Sequence, residues 1–445
     1  MGLRARWVVL LLLALCCGRA EARRRVVVIS IDGLRGTTLA DLPQRHLKTP
    51  NLLEFVAGGA VADGLVGVFP TVTYPSHTTL VTGVSPDRHG IRSNLEFDPE
   101  HTGRDAWFWY AEQMHAPALW DVARAAGLRT GAVSWPVTVG AAIDANFPEY
   151  REWESEDDLR LYRGLCTPGL AAEFERSAGP LTLDDADELL GVNDDTRAKM
   201  AAFLIETRKP DLMLVHFLDM DHQQHAHGPD SAEAYRALEH IDGLIGQIRA
   251  AVSASFGDSD EVDFVVVSDH GFLAVDKAFQ PAAVLAGLGL GAPAGHPDRW
   301  RVAVFDSGSS FGLIVHDPKD TAAVALATNA FKRIATASGI AKIYTGAELA
   351  ATGGYGNTFL AATMQPGFMV GRKTAGPRVT STGGARGMHG NAPGDARLDA
   401  AFVAFGRSVP AKRLGRKRLV DVAPTVAALL GFGMPEVEGA NLLEK

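Results

Sequence analysis

The chain has 445 residues, 47% hydrophobic and 21% charged, which supplies a large core and excludes a disordered chain. Its formal charge of −9 argues against a general nucleic-acid-binding surface, so no stable nucleic-acid complex is expected. The local basic run "KRLGRKR" (Lys412 to Arg418) reads as a solvated loop.

The chain opens with a basic start, an apolar run from Trp7 to Cys17 and small residues up to Ala22. This is the pattern of a signal peptide (residues 1–22) cleaved after Ala22, although Arg23, Arg24 and Arg25 oppose export and keep a retained anchor as the alternative. The run is too short to span a bilayer, so the mature chain (23–445) is expected to be periplasmic or secreted with no membrane span. Removing the leader removes Cys16 and Cys17. Cys166 then stands alone as an inert buried thiol, and no intrachain disulfide can form.

Three β-branched runs share one form: "RVVVISIDG" (Arg25 to Gly33), "DLMLVHFLDMD" (Asp211 to Asp221) and "DFVVVSDHG" (Asp263 to Gly271). Each ends in a carboxylate. Helical stretches separate them: Ala118 to Gly127, Asp195 to Arg208 and Ser231 to Val252. The alternation predicts an α/β fold with a mostly parallel sheet. Ligands gather outside the carboxyl ends of such strands, where Asp32, Asp219, Asp221 and Asp269 would all fall. From Pro281 to Val379 the pattern loosens into Gly- and Ala-rich segments, read as an inserted or capping subdomain. A strand (Leu398 to Gly406) and a helix (Asp421 to Gly431) close the chain.

Asp221 and His225 stand four residues apart, so one helical turn can aim both at one divalent ion such as zinc. Asp269 and His270 are adjacent at a strand end, Asp32 ends another strand, and His389 lies between glycines. Together these are three carboxylates and three imidazoles, a set suited to two metals in oxygen and nitrogen sites. A metal pair could hold the attacking and leaving oxygens of a displacement at phosphorus and activate a hydroxyl. In "VFPTVTYPSHTTLVTG" (Val68 to Gly83), Thr73 is the chosen nucleophile, at the start of a helix with proline in its first turn. Free amides there favour an anionic phosphoryl group. Thr71 reads as the cap of that helix, Thr78 and Thr79 as its interior, and His77 and His89 as structural.

The ordered set "IDGLR", "PTVTYPSHTTLVTGVSPDRHGI", "DMDHQQHAHGP", "SDHG" and "GMHG" resembles the nucleotide pyrophosphatase/phosphodiesterase family of the alkaline phosphatase superfamily, over about Val26 to Leu442. The resemblance implies an alkaline-phosphatase-like three-layer α/β/α fold and two zinc ions. Asp32, Asp269 and His270 would hold the zinc that also contacts Thr73, and Asp221, His225 and His389 the second. Asn94 would bind a phosphoryl oxygen, and Tyr74 would lie against the leaving group or base. The substrate implied is a small phosphodiester or nucleotide. Ser76 stands where the family usually has asparagine, and Asp219 competes with Asp221 as a ligand, the four-residue step to His225 favouring Asp221. Arg92 is expected at the surface. A phosphomonoesterase, a lysophospholipid phosphodiesterase and a phosphonate hydrolase are the rivals within the superfamily. A catalytically silent metal-binding envelope protein is the rival outside enzymes.

Overall fold

The computed structural model describes residues 23–100, 106–187, 191–257, 261–293 and 295–444; the expected leader, 1–22, lies outside them. Among the described residues the largest sheet has eight strands. Its centre is the parallel array Glu261–Val267, Arg24–Ile31, Leu212–Phe217, Thr130–Val133 and Ala145–Phe147. The strand Phe402–Phe405 runs antiparallel beside Glu261–Val267 and extends the sheet to Ala60–Val61.

The strands form where they do because β-branched residues pack well on a pleated, two-sided buried surface. Along Arg24–Ile31 the side chains divide by alternation. Val27, Ile29 and Ile31 enter one core with the helices Pro50–Gly58, Asp194–Arg208 and Ala232–Ser255. Val26 and Val28 enter the other with Thr73–Thr82, Leu119–Ala125 and Val422–Leu430. Met213, Val215 and Phe217 repeat the first choice, and Leu212 and Leu214 the second. Helices on both faces of one sheet make three layers.

Ala232–Ser255 shows how local sequence sets an element. The Ser231 hydroxyl accepts from the Ala234 amide at 3.2 Å and starts the helix. Leu238, Ile241, Ile245, Ile248 and Val252 then recur at helical spacing and are buried. Each such burial contributes about 1.5–3 kcal/mol.

Within 281–379 lies a separate four-stranded antiparallel sheet, Val302–Ser307, Ser310–Val315, Leu360–Met364 and Ile340–Thr345. Phe311, Leu313, Phe331 and Ala362 belong to a core of its own. A third sheet joins Leu273–Phe279 to Gly367–Val370 and to Val379–Met388. "KRLGRKR" is not a solvated loop. Lys412–Arg413 pairs with Ala60–Val61 and Arg416–Arg418 with Gly64–Val66. Arg416 and Arg418 are bound by Asp399 and Asp421, so carboxylates of neighbouring segments and open strand edges organise the run.

Candidate metal centre

Sheet order assembles the site. The strands ending near Asp269, Asp32 and Asp221 are neighbours, and the Asp32 amide donates to the Phe217 carbonyl at 2.9 Å. Asp221 and His225 ride on the helix Asp219–His227, whose start is held from outside its own sequence: the Asp194 carboxylate accepts from the amides of Leu218 and Asp219, both at 3.0 Å. His389 arrives through the third sheet. Leu273 and Met388 are register partners, which sets His389 beside the chain just after His270, and the two imidazoles stack with centroids 3.6 Å apart.

Two groups result, Asp32 with Asp269 and His270, and Asp221 with His225 and His389, the donor atoms of each within 4.8 Å of one another. Asp219 joins neither group; it accepts from Gln223 Nε2 at 3.0 Å.

The donors fit a cation. His389 Nδ1 donates to the Thr71 carbonyl at 2.9 Å and His225 Nδ1 to the Gly387 carbonyl at 3.2 Å. Both Nε2 atoms are thereby left as bare lone pairs. They face each other at 3.2 Å, beside Asp221. Two acceptors and a carboxylate converging without a donor is an arrangement that a positive ion satisfies. In the other group Asp32 Oδ1, Asp269 Oδ2 and both nitrogens of His270 are buried and make no well-formed hydrogen bond among the described residues, with His270 Nε2 3.1 Å from Asp269 Oδ2. Unpaired buried polar atoms of this kind are costly.

Electrostatics agree. Burial, then the charge of Asp32, pushes the carboxyls of Asp221 and Asp269 well above their ordinary range. Burial also disfavours charge on Asp32, but the hydrogen bond from His216 leads the opposing causes and its carboxyl lies well below that range. Burial pushes the imidazoles of His225, to about 3, and of His270 and His389 down, keeping them neutral. Neutral imidazoles are ligands in their binding form, whereas Asp221 and Asp269 would give up protons as a cation enters.

Gly33 makes the approach possible. Its φ is +73°, and a Cβ would lie 2.6 Å from the Phe272 ring; its amide donates to Asp269 Oδ1 at 3.1 Å. Phe272 itself, fully buried, lies within 5.7 Å of His225, His270 and His389, centroid to centroid. An isolated phenylalanine carries no sequence signal for such a role.

Thr73 opens the helix Thr73–Thr82, fully enclosed apart from a small exposed edge. His77 holds its backbone: Nδ1 donates to the Thr73 carbonyl at 2.9 Å and Nε2 accepts from Ser30 at 2.8 Å. The cap differs from expectation. Val72 is the N-cap, and Thr71 instead donates to the Asn391 carbonyl at 3.0 Å and accepts from the Gly390 amide at 3.1 Å. Tyr74 also differs. Its ring is fully buried and its hydroxyl donates to Glu149 at 2.8 Å, so it presents no face to a substrate. The Tyr74 amide donates to Asn94 Oδ1 at 2.9 Å and Pro75 has no N–H. This helix start therefore offers the Thr73 amide and Asn94 Nδ2 rather than a row of free amides. Arg92 turns away, its guanidinium against Gly356 and toward the Asp87 carbonyl.

Residues 26–334 match the family described as Type I phosphodiesterase / nucleotide pyrophosphatase. The chain belongs to this family. Curated relatives of this phosphodiesterase family member include an uncharacterized pyrophosphatase/phosphodiesterase of Schizosaccharomyces pombe, 28% identical over 63% of this chain and 51% of the relative. Human ectonucleotide pyrophosphatase/phosphodiesterase family member 7 is 26% identical over 58% and 49%. The chain thus spans about half the length of the curated relatives it matches. Among solved structures, murine ectonucleotide pyrophosphatase/phosphodiesterase 5 superposes with a TM-score of 0.64 at 19% identity, covering 94% of this chain and 98% of that one. An inactive form of that murine protein in complex with AMP gives 0.64 at 18% identity, covering 94% and 97%. The fold is the alkaline-phosphatase-like α/β fold expected.

Proposed function

We propose that this family member is an exported hydrolase of phosphodiesters and nucleotide phosphoanhydrides that uses two zinc ions and a phosphothreonine on Thr73. The observation that carries the reading is the meeting of bare imidazole lone pairs with Asp221, next to the unpartnered oxygens of Asp32 and Asp269. Asp32, Asp269 and His270 would hold one ion, with Thr73 beside it, and Asp221, His225 and His389 the other. When bound, such a pair lowers the pKa of a hydroxyl and offsets charge on a departing oxygen.

The protein's own residues do the rest. The helix start fixes the Thr73 hydroxyl, which attacks phosphorus as the alcohol or phosphate leaving group takes the displaced bond's electrons; water then returns the threonine. Asn94 Nδ2 donates to a phosphoryl oxygen. A neutral amide suits the single charge of a diester, whereas a monoester dianion calls for a guanidinium, and Arg92 is engaged elsewhere. The subdomain read over 281–379 borders the site, since the Ser309 amide donates to the His389 carbonyl at 2.7 Å. Export rests on the leader sequence; no helix among the described residues is long and apolar enough to cross a membrane. Matched assays on a diester, a dinucleotide and a monoester, with metal counted by elemental analysis, test the reading: higher kcat/KM for the first two is expected. A monoester preference abolished by Arg92→Ala overturns the substrate class, and full activity without metal overturns the centre.

A further inference from the structure

His216 and Glu149 are fully buried ionisable groups that hold neither a candidate ion nor the reacting phosphate. His216 is the penultimate residue of the strand Leu212–Phe217 and lies between two carboxylates. Its Nδ1 is 2.9 Å from Glu149 Oε2 and 3.1 Å from the Ser134 carbonyl, and its Nε2 is 3.3 Å from Asp32 Oδ2. The second Glu149 oxygen accepts from the Tyr74 hydroxyl at 2.8 Å and from Arg151 Nε at 3.0 Å. The Arg151 guanidinium in turn lies 4.4 Å over the Trp107 ring. One hydrogen-bonded path therefore runs Asp32, His216, Glu149, Tyr74. It ends one residue from Thr73, at the side chain whose backbone amide fixes Asn94.

The two oxygens of Asp32 are not equivalent. Oδ2 is taken by His216, while Oδ1 has no hydrogen-bond partner and lies 3.5 Å from His270 Nε2, inside the group that could hold an ion. A carboxylate with one oxygen tied cannot rotate the other out of the pocket.

We propose that His216, braced by Glu149, is a positioning residue that sets the Asp32 carboxylate with Oδ1 toward the ion and links that orientation to the wall carrying Thr73 and Asn94. The inference rests on the metal-centre reading above. Partners that orient a ligand typically change metal affinity by about 10- to 100-fold when removed. His216 acts through Nε2 on Asp32 and through Nδ1 on Glu149, and two amides separate these contacts. The terminal nitrogen of glutamine reaches about where Nε2 lies, and that of asparagine about where Nδ1 lies.

The experiment is zinc titration of the full chain against a chromophoric chelator, for wild type, His216→Gln, His216→Asn and Glu149→Gln. Thermal denaturation of each metal-free protein verifies the fold. His216→Gln should keep both affinities within a few-fold. His216→Asn should weaken one of the two sites by about 10- to 100-fold, and Glu149→Gln should weaken that same site by less. Equal affinities for the glutamine and asparagine variants overturn the inference, and so does a loss of thermal stability with affinities unchanged. If His216→Asn does not fold, unchanged affinity in Glu149→Gln overturns it instead. Wild type that binds no zinc removes the metal-centre reading, and this inference with it, an outcome distinct from the others.

Discussion

The backbone amide of Tyr74 donates to Asn94 Oδ1 at 2.9 Å, and this one bond decides which way the Asn94 amide faces. With Oδ1 occupied by that donor, the Nδ2 hydrogens are directed to the other side. Asn94 is thus a donor by construction, positioned from the residue next to Thr73.

Removing that donor should be felt in the transition state more than in binding. Asn94→Ala is expected to lower kcat/KM for a diester by about 2–4 kcal/mol, the scale of losing one oxyanion donor. Asn94→Asp should be worse still, because its carboxylate cannot donate and repels the phosphoryl oxygens. Steady-state kinetics on bis-p-nitrophenyl phosphate check both; an aspartate variant as active as wild type rules out a phosphoryl contact at Asn94.

The two threonines before Tyr74 should separate cleanly. Thr73→Ala is expected to abolish turnover with metal content and fold retained, and Thr73→Ser to keep part of the activity. Thr71→Ala deletes bonds to Asn391 and Gly390 beside His389 and should instead lower stability by about 1 kcal/mol with measurable turnover. A dead Thr71→Ala enzyme beside an active Thr73→Ala enzyme would move the nucleophile to residue 71.

Metal removal should have a pH signature of definite sign. In metal-free protein Asp221 and Asp269 have raised pKa values. A carboxyl raised above its unfolded value stabilises the fold below that value and loses the contribution as pH rises through the folded pKa. Metal-free protein should therefore become less stable as pH rises above the ordinary carboxyl range. Bound metal competes with protons and stabilises by mass action. The gap in Tm between loaded and chelated protein is expected to widen from pH 5 to pH 8; a constant gap would separate these carboxylates from the ion.

Acid stability depends on a histidine outside the centre. His89 is buried, with Nε2 3.0 Å from the Thr79 hydroxyl and Nδ1 accepting from the Ile91 amide at 3.2 Å, and burial holds its pKa down at about 3. The unfolded chain takes this proton near pH 6.5 and the folded chain only near 3, so stability falls as pH falls through that window. At about 1.4 kcal/mol per unit the loss is on the order of 5 kcal/mol. Denaturant midpoints at several pH values should fall from pH 6.5 downward, with a slope shallower by about one proton in His89→Gln. An identical slope in the variant assigns the acid loss to other groups.

The strands, their carboxyl-end aspartates and the helix opening at Thr73 were legible in the sequence because each follows from local rules. A β-branched run must be buried on both faces, a proline belongs in a first turn, and Asp221 and His225 share a helix face by spacing alone. Which aspartate serves which group came from the family resemblance and not from any local pattern, and the outer partners of each were not legible. His389 meets His270 only through the pairing of Val379–Met388 with Leu273–Phe279. Thr71 was drawn from a capping role to a distant loop, and Tyr74 from the substrate to Glu149. Glu149 and His216 looked like ordinary residues in the sequence, because their partners come from neighbouring strands and loops rather than from residues near them in the chain. Local sequence determines periodicity and turn chemistry within a few residues. Contacts between strand ends depend on sheet order, which is fixed only when the whole chain buries its apolar faces at once.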